Sequence, residues 1–190
     1  MHRRKAISIA GTVISSTLLG DYLLFLSGCK QPGKPFTNFY STEDVYLFTE
    51  IGGTIMPATD TPGARENRIG EFIAIMLSDS FSAVDRKNIA DGIASLNENC
   101  NKSYGKKFID CTDEQRYPIL KTQDAAVKIY KQKQQPGQPP HFFWILKELT
   151  IFGFFNSEQG AKHVLRYDPI PGKYLGDIPY KKGDRAWATY

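Results

Sequence analysis

Apolar residues recur at helical spacing through most of the chain after residue 40, and this pattern predicts an all-α domain. The serine and threonine at 41 and 42 can cap a first helix that ends before Pro57. Ile69 to Leu77 show the i, i+3, i+4, i+7 spacing of a helix with one side in a core. Ser82 begins a third helix, whose apolar stripe runs to Cys100. No strand pattern of comparable length is present in the sequence.

Further helices are predicted in the second half of the chain. Thr-Asp-Glu-Gln at 112–115 is a capping box and opens a helix that Pro118 is expected to kink or split. After a polar loop with prolines, HFFWILKELTIFGFF at 141–155 is apolar around nearly its whole circumference. It is too short to span a bilayer, so we expect a helix that is buried or faces a partner. Ser157 is predicted to cap a last helix through Arg166.

The C-terminal stretch from Asp168 contains too many prolines and glycines for regular structure, yet it is rich in aromatic residues. We expect such a tail to pack on this domain or on a partner. The predicted fold is therefore a compact all-α domain at 41–190 that ends in an irregular, aromatic-rich tail.

The first 28 residues have the layout of a bacterial export signal, with a basic start that includes Arg3 and Arg4 and an apolar stretch behind it. Leu-Ser-Gly-Cys at 26–29 resembles the lipobox of bacterial lipoproteins. There, lipid is attached to the cysteine thiol, and cleavage leaves Cys29 as the lipidated N-terminus. A retained transmembrane helix is the alternative, but glycine, serine and aspartate residues dilute the apolar run.

Arg3 and Arg4 also form a loose twin-arginine pair, the signal for export of proteins that are already folded. Two adjacent bases suit an ordinary secretory signal equally well, so both routes stay open. Residues 29–40 are polar and contain prolines and a glycine, which predicts a tether between the lipid and the domain. We therefore expect an exported protein, lipid-anchored on the periplasmic side of a bacterial membrane.

Composition excludes several classes of function. With 190 residues, of which 41% are hydrophobic and 13% aromatic, the chain can form one globular domain. The net charge of +4 is too small and too dispersed for a nucleic-acid-binding protein. The sequence has no glycine-rich dinucleotide motif after a strand and no C-x-x-C-H haem motif, and its cysteines and histidines lack the spacing of an iron–sulfur or zinc site. We expect no cofactor, metal or catalytic residue on this chain.

Cys100 and Cys111 are the cysteines that remain if Cys29 carries lipid. Outside the cytoplasm, two cysteines in one short loop are a candidate disulfide. Two unpaired thiols, with Cys100 on the apolar stripe of its helix, are the alternative.

Two segments resemble the small third subunit of the gluconate 2-dehydrogenase family: IMPATDTPGA at 55–64 and LKELTIFGFFNSEQGAKHVLRYDPIPGKYLGD at 146–177. The most specific pieces are Pro57 with Pro-Gly-Ala at 62–64, and Gly-Phe-Phe at 153–155 with the residues that follow. The resemblance covers most of the chain after the signal. Asn156 departs from the family pattern, which more often has threonine there.

The resemblance implies an accessory subunit that is not itself an enzyme. Such subunits accompany a large flavoprotein of the glucose–methanol–choline class, which holds FAD and oxidises a sugar or sugar acid. A multihaem cytochrome c often completes the complex. The small subunit carries the export signal and helps the flavoprotein to fold and cross the membrane.

A surface for the flavoprotein is expected on the apolar helix and the tail, because aromatic residues supply much of the affinity at such contacts. The candidates are Phe142, Trp144, Phe154, Phe155, Tyr174, Tyr180 and Trp187. The alternative is packing within this domain, which we expect for Phe143, Leu146 and Leu149. The alternative function is a stand-alone carbohydrate-binding lipoprotein, in which aromatic residues of the tail stack on sugar rings.

Overall fold

The computed structural model describes residues 40–170, 172–173 and 176–188, and these residues contain five α-helices. The helices are α1 Thr42–Ile55, α2 Ile69–Ser80, α3 Ala83–Tyr104, α4 Asp113–Lys133 and α5 Phe142–Asn156. Short 3₁₀ turns lie at Arg65–Asn67 and Phe108–Asp110. Within the described ranges no strand forms, and the all-α prediction is confirmed. The predicted signal and nearly all of the tether lie outside the described residues.

Three helices begin where their capping sequences predict. Ser41 with Asp44, and Ser82 with Asp85, form reciprocal pairs: each serine hydroxyl accepts a backbone N–H, and each carboxylate accepts the N–H of the serine. Thr112 begins α4 with the same kind of capping box. These pairs satisfy backbone donors that have no partner inside the helix, so local sequence is enough to set these starts.

The structure bears on two predictions about helix extent. Of the two outcomes expected at Pro118, a split is wrong: α4 is continuous, because this proline lies in the second turn and its missing N–H removes only one hydrogen bond near the start of a long helix. The Ser157 hydroxyl does accept the Gly160 N–H and caps a helical segment. That segment, however, is a short π-helical turn that ends at Val164 and does not continue through Arg166.

Helix α5 is the central element, since it contacts each of the other four α-helices. Most of its circumference is enclosed. The buried residues of α5 are Phe142, Phe143, Ile145, Leu146, Leu149, Thr150 and Phe154. The expectation that Phe143, Leu146 and Leu149 pack in this domain is confirmed.

Glycines let α1, α2 and α5 approach one another closely. A Cβ atom on Gly70 of α2 would overlap the backbone carbonyl oxygen of Val45 on α1. A Cβ on Gly153 of α5 would lie 2.5 Å from the ring of Phe72 on α2. A Cβ on Gly52 of α1 would lie 2.8 Å from the Ile69 side chain of α2 and 3.5 Å, an ordinary contact distance, from Thr150 of α5. Of these three glycines, Gly70 meets backbone atoms, so main-chain contact sets the spacing of α1 and α2, whereas neighbouring side chains fill the space at Gly52 and Gly153.

A buried ion-pair network joins α1 to α4. Glu50 of α1 is 7% exposed and pairs with Arg116 of α4, which is 6% exposed. The same Glu50 carboxylate pairs with Arg65 at 3.0 Å. Arg65 also donates to Asp113 at the start of α4, and this hydrogen bond lowers the pKa of the Asp113 carboxyl. The network thus runs from the buried pair of Glu50 and Arg116 out to the surface, where the Asp113 side chain is 57% exposed.

Arg116 also holds the turn that precedes α4. Its Nε donates to the carbonyl of Phe108 at 3.1 Å and its Nη2 to the carbonyl of Ile109 at 2.7 Å. The guanidinium carbon lies 5.5 Å from the centre of the Phe108 ring. A single buried side chain therefore fixes α1, α4 and the 108–110 turn relative to one another.

Replacing Glu50 tests this network. Glu50→Gln leaves the buried Arg116 guanidinium with only the exposed Asp113 carboxylate, 3.3 Å away, as counter-charge, so we expect the free energy of unfolding to fall by about 3 kcal/mol. Urea unfolding followed by circular dichroism measures the change. Glu71→Gln is the matched control, because Glu71 pairs with Arg68 at the exposed surface, where such pairs contribute less than about 1 kcal/mol. If both variants lost the same free energy of unfolding, the buried network would not be the main interaction that holds α1 against α4.

Candidate partner interface

One side of α5 is left uncovered by the other helices. Trp144, Phe152 and Phe155 are spaced so that a helix places them along one side. Phe152 is 55% exposed, and Trp144 and Phe155 are partly buried. The same side of α5 also exposes Glu148, one turn from both Trp144 and Phe152, and Asn156 near its end. The outward stripe is therefore aromatic with one carboxylate inside it.

Helix α2 extends this apolar surface. The ring of its Phe72 lies 6.1 Å from the ring of Phe152, centre to centre. Ile75 follows one turn later on the same side of α2 and is 38% exposed. We call this surface the α2–α5 apolar face and define it as Phe72, Ile75, Trp144, Phe152 and Phe155.

Charged residues border the end of this face near α4. The Lys131 ammonium of α4 lies over the Trp144 ring, an attractive cation–π contact. One turn from Trp144, Lys147 forms a salt bridge with Asp124 of α4 at 2.5 Å. Apolar side chains with charged residues at their border are the arrangement expected of a protein–protein contact surface.

Two of the predicted interface residues face inward, and that prediction was wrong for them. Phe142 is 7% exposed and Phe154 is 2% exposed, so both belong to the core of this domain. The Phe142 ring lies against Gly92 of α3, where a glycine leaves room for it. Trp144 and Phe155 are partly buried at the edge of the core, and their role in an interface stays a prediction.

Sequence reasoning missed Phe152, the most exposed aromatic residue of α5. The signal for it was available. Phe152 is eight positions after Trp144 and three before Phe155, and this spacing puts all three on one side of a helix.

The predicted residues of the tail have different surroundings. Trp187 forms a parallel bridge with Arg166, whose guanidinium lies 4.0 Å from the centre of the Trp187 ring. Backbone hydrogen bonds of 2.8 and 2.9 Å flank the bridge. Tyr180 is 77% exposed. Tyr174 lies outside the described residues, as do Cys29, Arg3 and Arg4.

Cys100 and Cys111 are both free thiols in the structure, and both are buried. Burial, together with the neighbouring Cys111, raises the pKa of the Cys100 thiol to about 11. The predicted disulfide is not formed here, yet the two partners are brought together. It stays a prediction.

In the described part of the chain, no group of three or more histidine, cysteine, aspartate and glutamate side chains is placed to hold a metal ion. No helix among these residues has both the length and the hydropathy to cross a bilayer. The described surface thus offers an apolar face as its main candidate for function.

Comparison with known proteins identifies the family. A family model described as gluconate 2-dehydrogenase subunit 3 matches residues 42–172, which is more than half of the chain. The chain belongs to the gluconate 2-dehydrogenase subunit 3 family. The resemblance inferred from the sequence is thereby confirmed. No curated protein and no solved structure matched.

Subunit 3 is an accessory, non-catalytic subunit of a dehydrogenase complex. The matched region runs from the first residue of α1 to Gly172, so it includes all five helices and the whole α2–α5 apolar face. Tyr180 and Trp187 lie beyond it. The face is therefore part of the subunit 3 domain itself.

Alanine substitutions on α5 distinguish inward from outward aromatic residues. Phe154→Ala removes a ring that is 2% exposed, and we expect a loss of about 3–5 kcal/mol in the free energy of unfolding. Phe152→Ala removes a half-exposed ring, and we expect a loss of less than about 1 kcal/mol. Urea unfolding of the two purified variants measures both. A larger loss for Phe152→Ala than for Phe154→Ala would show that α5 is rotated relative to this structure.

Proposed function

We propose that this subunit 3 protein is the accessory chain of a membrane-associated sugar or sugar-acid dehydrogenase. Its partner is a large flavoprotein of the glucose–methanol–choline class that holds the FAD and carries out the oxidation. A cytochrome c subunit is a further candidate member of the complex. The family match over 42–172 carries the proposal, since it makes the chain a subunit of a dehydrogenase complex.

The N-terminal sequence supports a role in export and membrane attachment. Residues 1–28 have the layout of an export signal, and the Leu-Ser-Gly-Cys sequence provides Cys29 for lipidation. A flavoprotein already loaded with FAD must cross the membrane folded. If it is bound to this chain, it can travel on the signal that begins with Arg3 and Arg4. A lipid on Cys29 would then hold the complex at the periplasmic side of the membrane.

The α2–α5 apolar face is the surface we propose for the flavoprotein. Phe152 and Ile75 expose apolar surface to water, which is unfavourable. A partner that covers this surface removes it from water, and the burial stabilises the complex. Trp144 and Phe155 add aromatic area beside them, and aromatic residues are enriched among those that dominate binding.

The stand-alone carbohydrate-binding alternative has less support. It requires tail aromatic residues with free faces for sugar rings. The Arg166 guanidinium covers one face of Trp187, which leaves Tyr180, at 77% exposed, as the main candidate. Calorimetric titration of sugars into the isolated protein tests this alternative directly.

The export role is tested by replacing the arginine pair. In cells that produce the chain together with its flavoprotein, Arg3→Lys with Arg4→Lys is expected to retain the FAD-loaded large subunit in the cytoplasm. Flavin fluorescence of cell fractions and immunoblotting of the large subunit measure this. Lys5→Arg is the control, because it changes an adjacent base and leaves the pair intact. Arrival of FAD-loaded large subunit in the periplasm of cells that lack this chain would refute the export role.

The docking face is tested by affinity purification in mild detergent. Phe152→Asp puts a charge at the centre of the face, and we expect recovery of the flavoprotein to fall at least about tenfold, as for a residue that dominates an interface. Ile129→Asp is the matched control: Ile129 is 56% exposed, against 55% for Phe152, but it lies on α4, pointing away from the core. Equal recovery with both variants would exclude this face as the contact.

A further inference from the structure

Cys100 and Cys111 lie side by side at the two ends of the connection between α3 and α4. Cys100 is 0% exposed and Cys111 is 4% exposed. Both side chains belong to the same buried cluster, and Cys111 is near enough to contribute to the raised pKa of the Cys100 thiol. The Cys111 thiol donates to the backbone carbonyl of Lys107 at 3.3 Å, so its side chain must rotate before it can bond to Cys100.

The backbone around the pair is held by contacts that do not involve the thiols. Gly105, with a φ of +67°, ends α3 and turns the chain. The Phe108 N–H donates to the Asn97 side-chain oxygen at 3.0 Å. The Arg116 guanidinium donates to the backbone carbonyl oxygens of Phe108 and Ile109. The fold itself therefore brings the two cysteines together.

We propose that Cys100 and Cys111 form an intramolecular disulfide, made when this part of the chain is open to an oxidant, that closes the connection between α3 and α4. The oxidant is a disulfide of the glutathione class or of a thiol–disulfide oxidoreductase. One cysteine thiolate attacks the oxidant and releases one thiol, which leaves a mixed disulfide. The other cysteine thiolate then attacks the protein sulfur of that bond and releases the second thiol. Two electrons and two protons pass to the oxidant.

The timing follows from burial. In the folded dithiol, burial raises the pKa of Cys100 from its ordinary value of about 9 to about 11, so about a hundredfold less of it is thiolate at neutral pH. The higher nucleophilicity of a more basic thiolate offsets about tenfold of that loss. The oxidant also cannot reach a sulfur that is 0% exposed. A chain in which this connection is open has neither restriction, so the bond forms before the core closes or when this region opens again.

Refolding in vitro tests the pairing. The full chain, with Cys29→Ser in every sample, is unfolded, reduced, refolded with oxidised glutathione, alkylated and digested with trypsin. Cleavage after Lys102 and after Lys107 separates a peptide of residues 88–102 from one of 108–116, unless a disulfide joins them. We expect mass spectrometry to find the joined peptide as the main product. The oxidised protein should have an unfolding equilibrium constant about a hundredfold smaller than the reduced protein.

A double variant and a rate comparison complete the test. With Cys100→Ala and Cys111→Ala together, the unfolding midpoint should be the same with and without oxidant. Folded, reduced protein should form the joined peptide at least about tenfold more slowly than the refolding chain. The proposal is overturned if both cysteines stay open to alkylation after refolding, if glutathione adducts are the end product, or if the two rates are equal. The test involves no membrane, so its result is independent of the proposed export.

Discussion

The buried pair of Glu50 and Arg116 is the interaction on which the arrangement of the helices depends. The two residues are 66 positions apart in sequence and bring charge from α1 and α4 into a region closed to solvent. An unpaired charge there would cost several kcal/mol, so conformations that separate α1 from α4 are strongly disfavoured. Arg65 and Asp113 join the same pair, which ties the start of α4 to the turn that precedes α2. Both α1 and α4 pack on α5, and the network thereby also fixes where the central helix lies.

The position of α5 explains how one apolar helix can serve both stability and assembly. Its inward residues fill the core between four other helices, and its outward stripe, with Phe152 at the centre, remains accessible. An accessory subunit without its own catalytic role contributes to its complex by the surfaces it presents. In this domain, the inward side of α5 belongs to the core and its outward side belongs to the surface. The same helix therefore stabilises the domain and supplies the face proposed for the flavoprotein.

Much of this fold could be predicted from local sequence, because caps and helical periodicity act over a few residues. Ser41, Ser82 and Thr112 mark three helix starts without any knowledge of the tertiary structure. The π-helical turn after Ser157 could not be predicted in the same way, since its hydrogen-bond pattern is not signalled by the apolar spacing that identifies α-helices. Phe154 and Phe152 are equally apolar in sequence, and only the positions of neighbouring helices decide which one is buried.

Only part of the charged network could be predicted from the sequence. Arg116 lies on the same stripe of α4 as Leu120 and Val127, and a base on an apolar stripe indicates a buried counter-charge. Which acid supplies that charge cannot be inferred from spacing, because Glu50 is on a distant helix. The family resemblance, in contrast, rested on short specific segments and did not require the fold at all.

Close contact at the glycines of α2 and α5 has a further consequence for recognition. At Gly70 the α1 backbone lies where a side chain would be, and at Gly153 the Phe72 and Ile69 side chains of α2 fill that space. Phe72 and Phe152 thus project from closely packed helices and not from loops. A protein that binds over them has little loop or helix motion to arrest, and the entropy lost on association is correspondingly small. A methyl group added at Gly70 would disturb this packing without touching the contact surface, whereas one added at Gly153 would press on Phe72, which belongs to that surface.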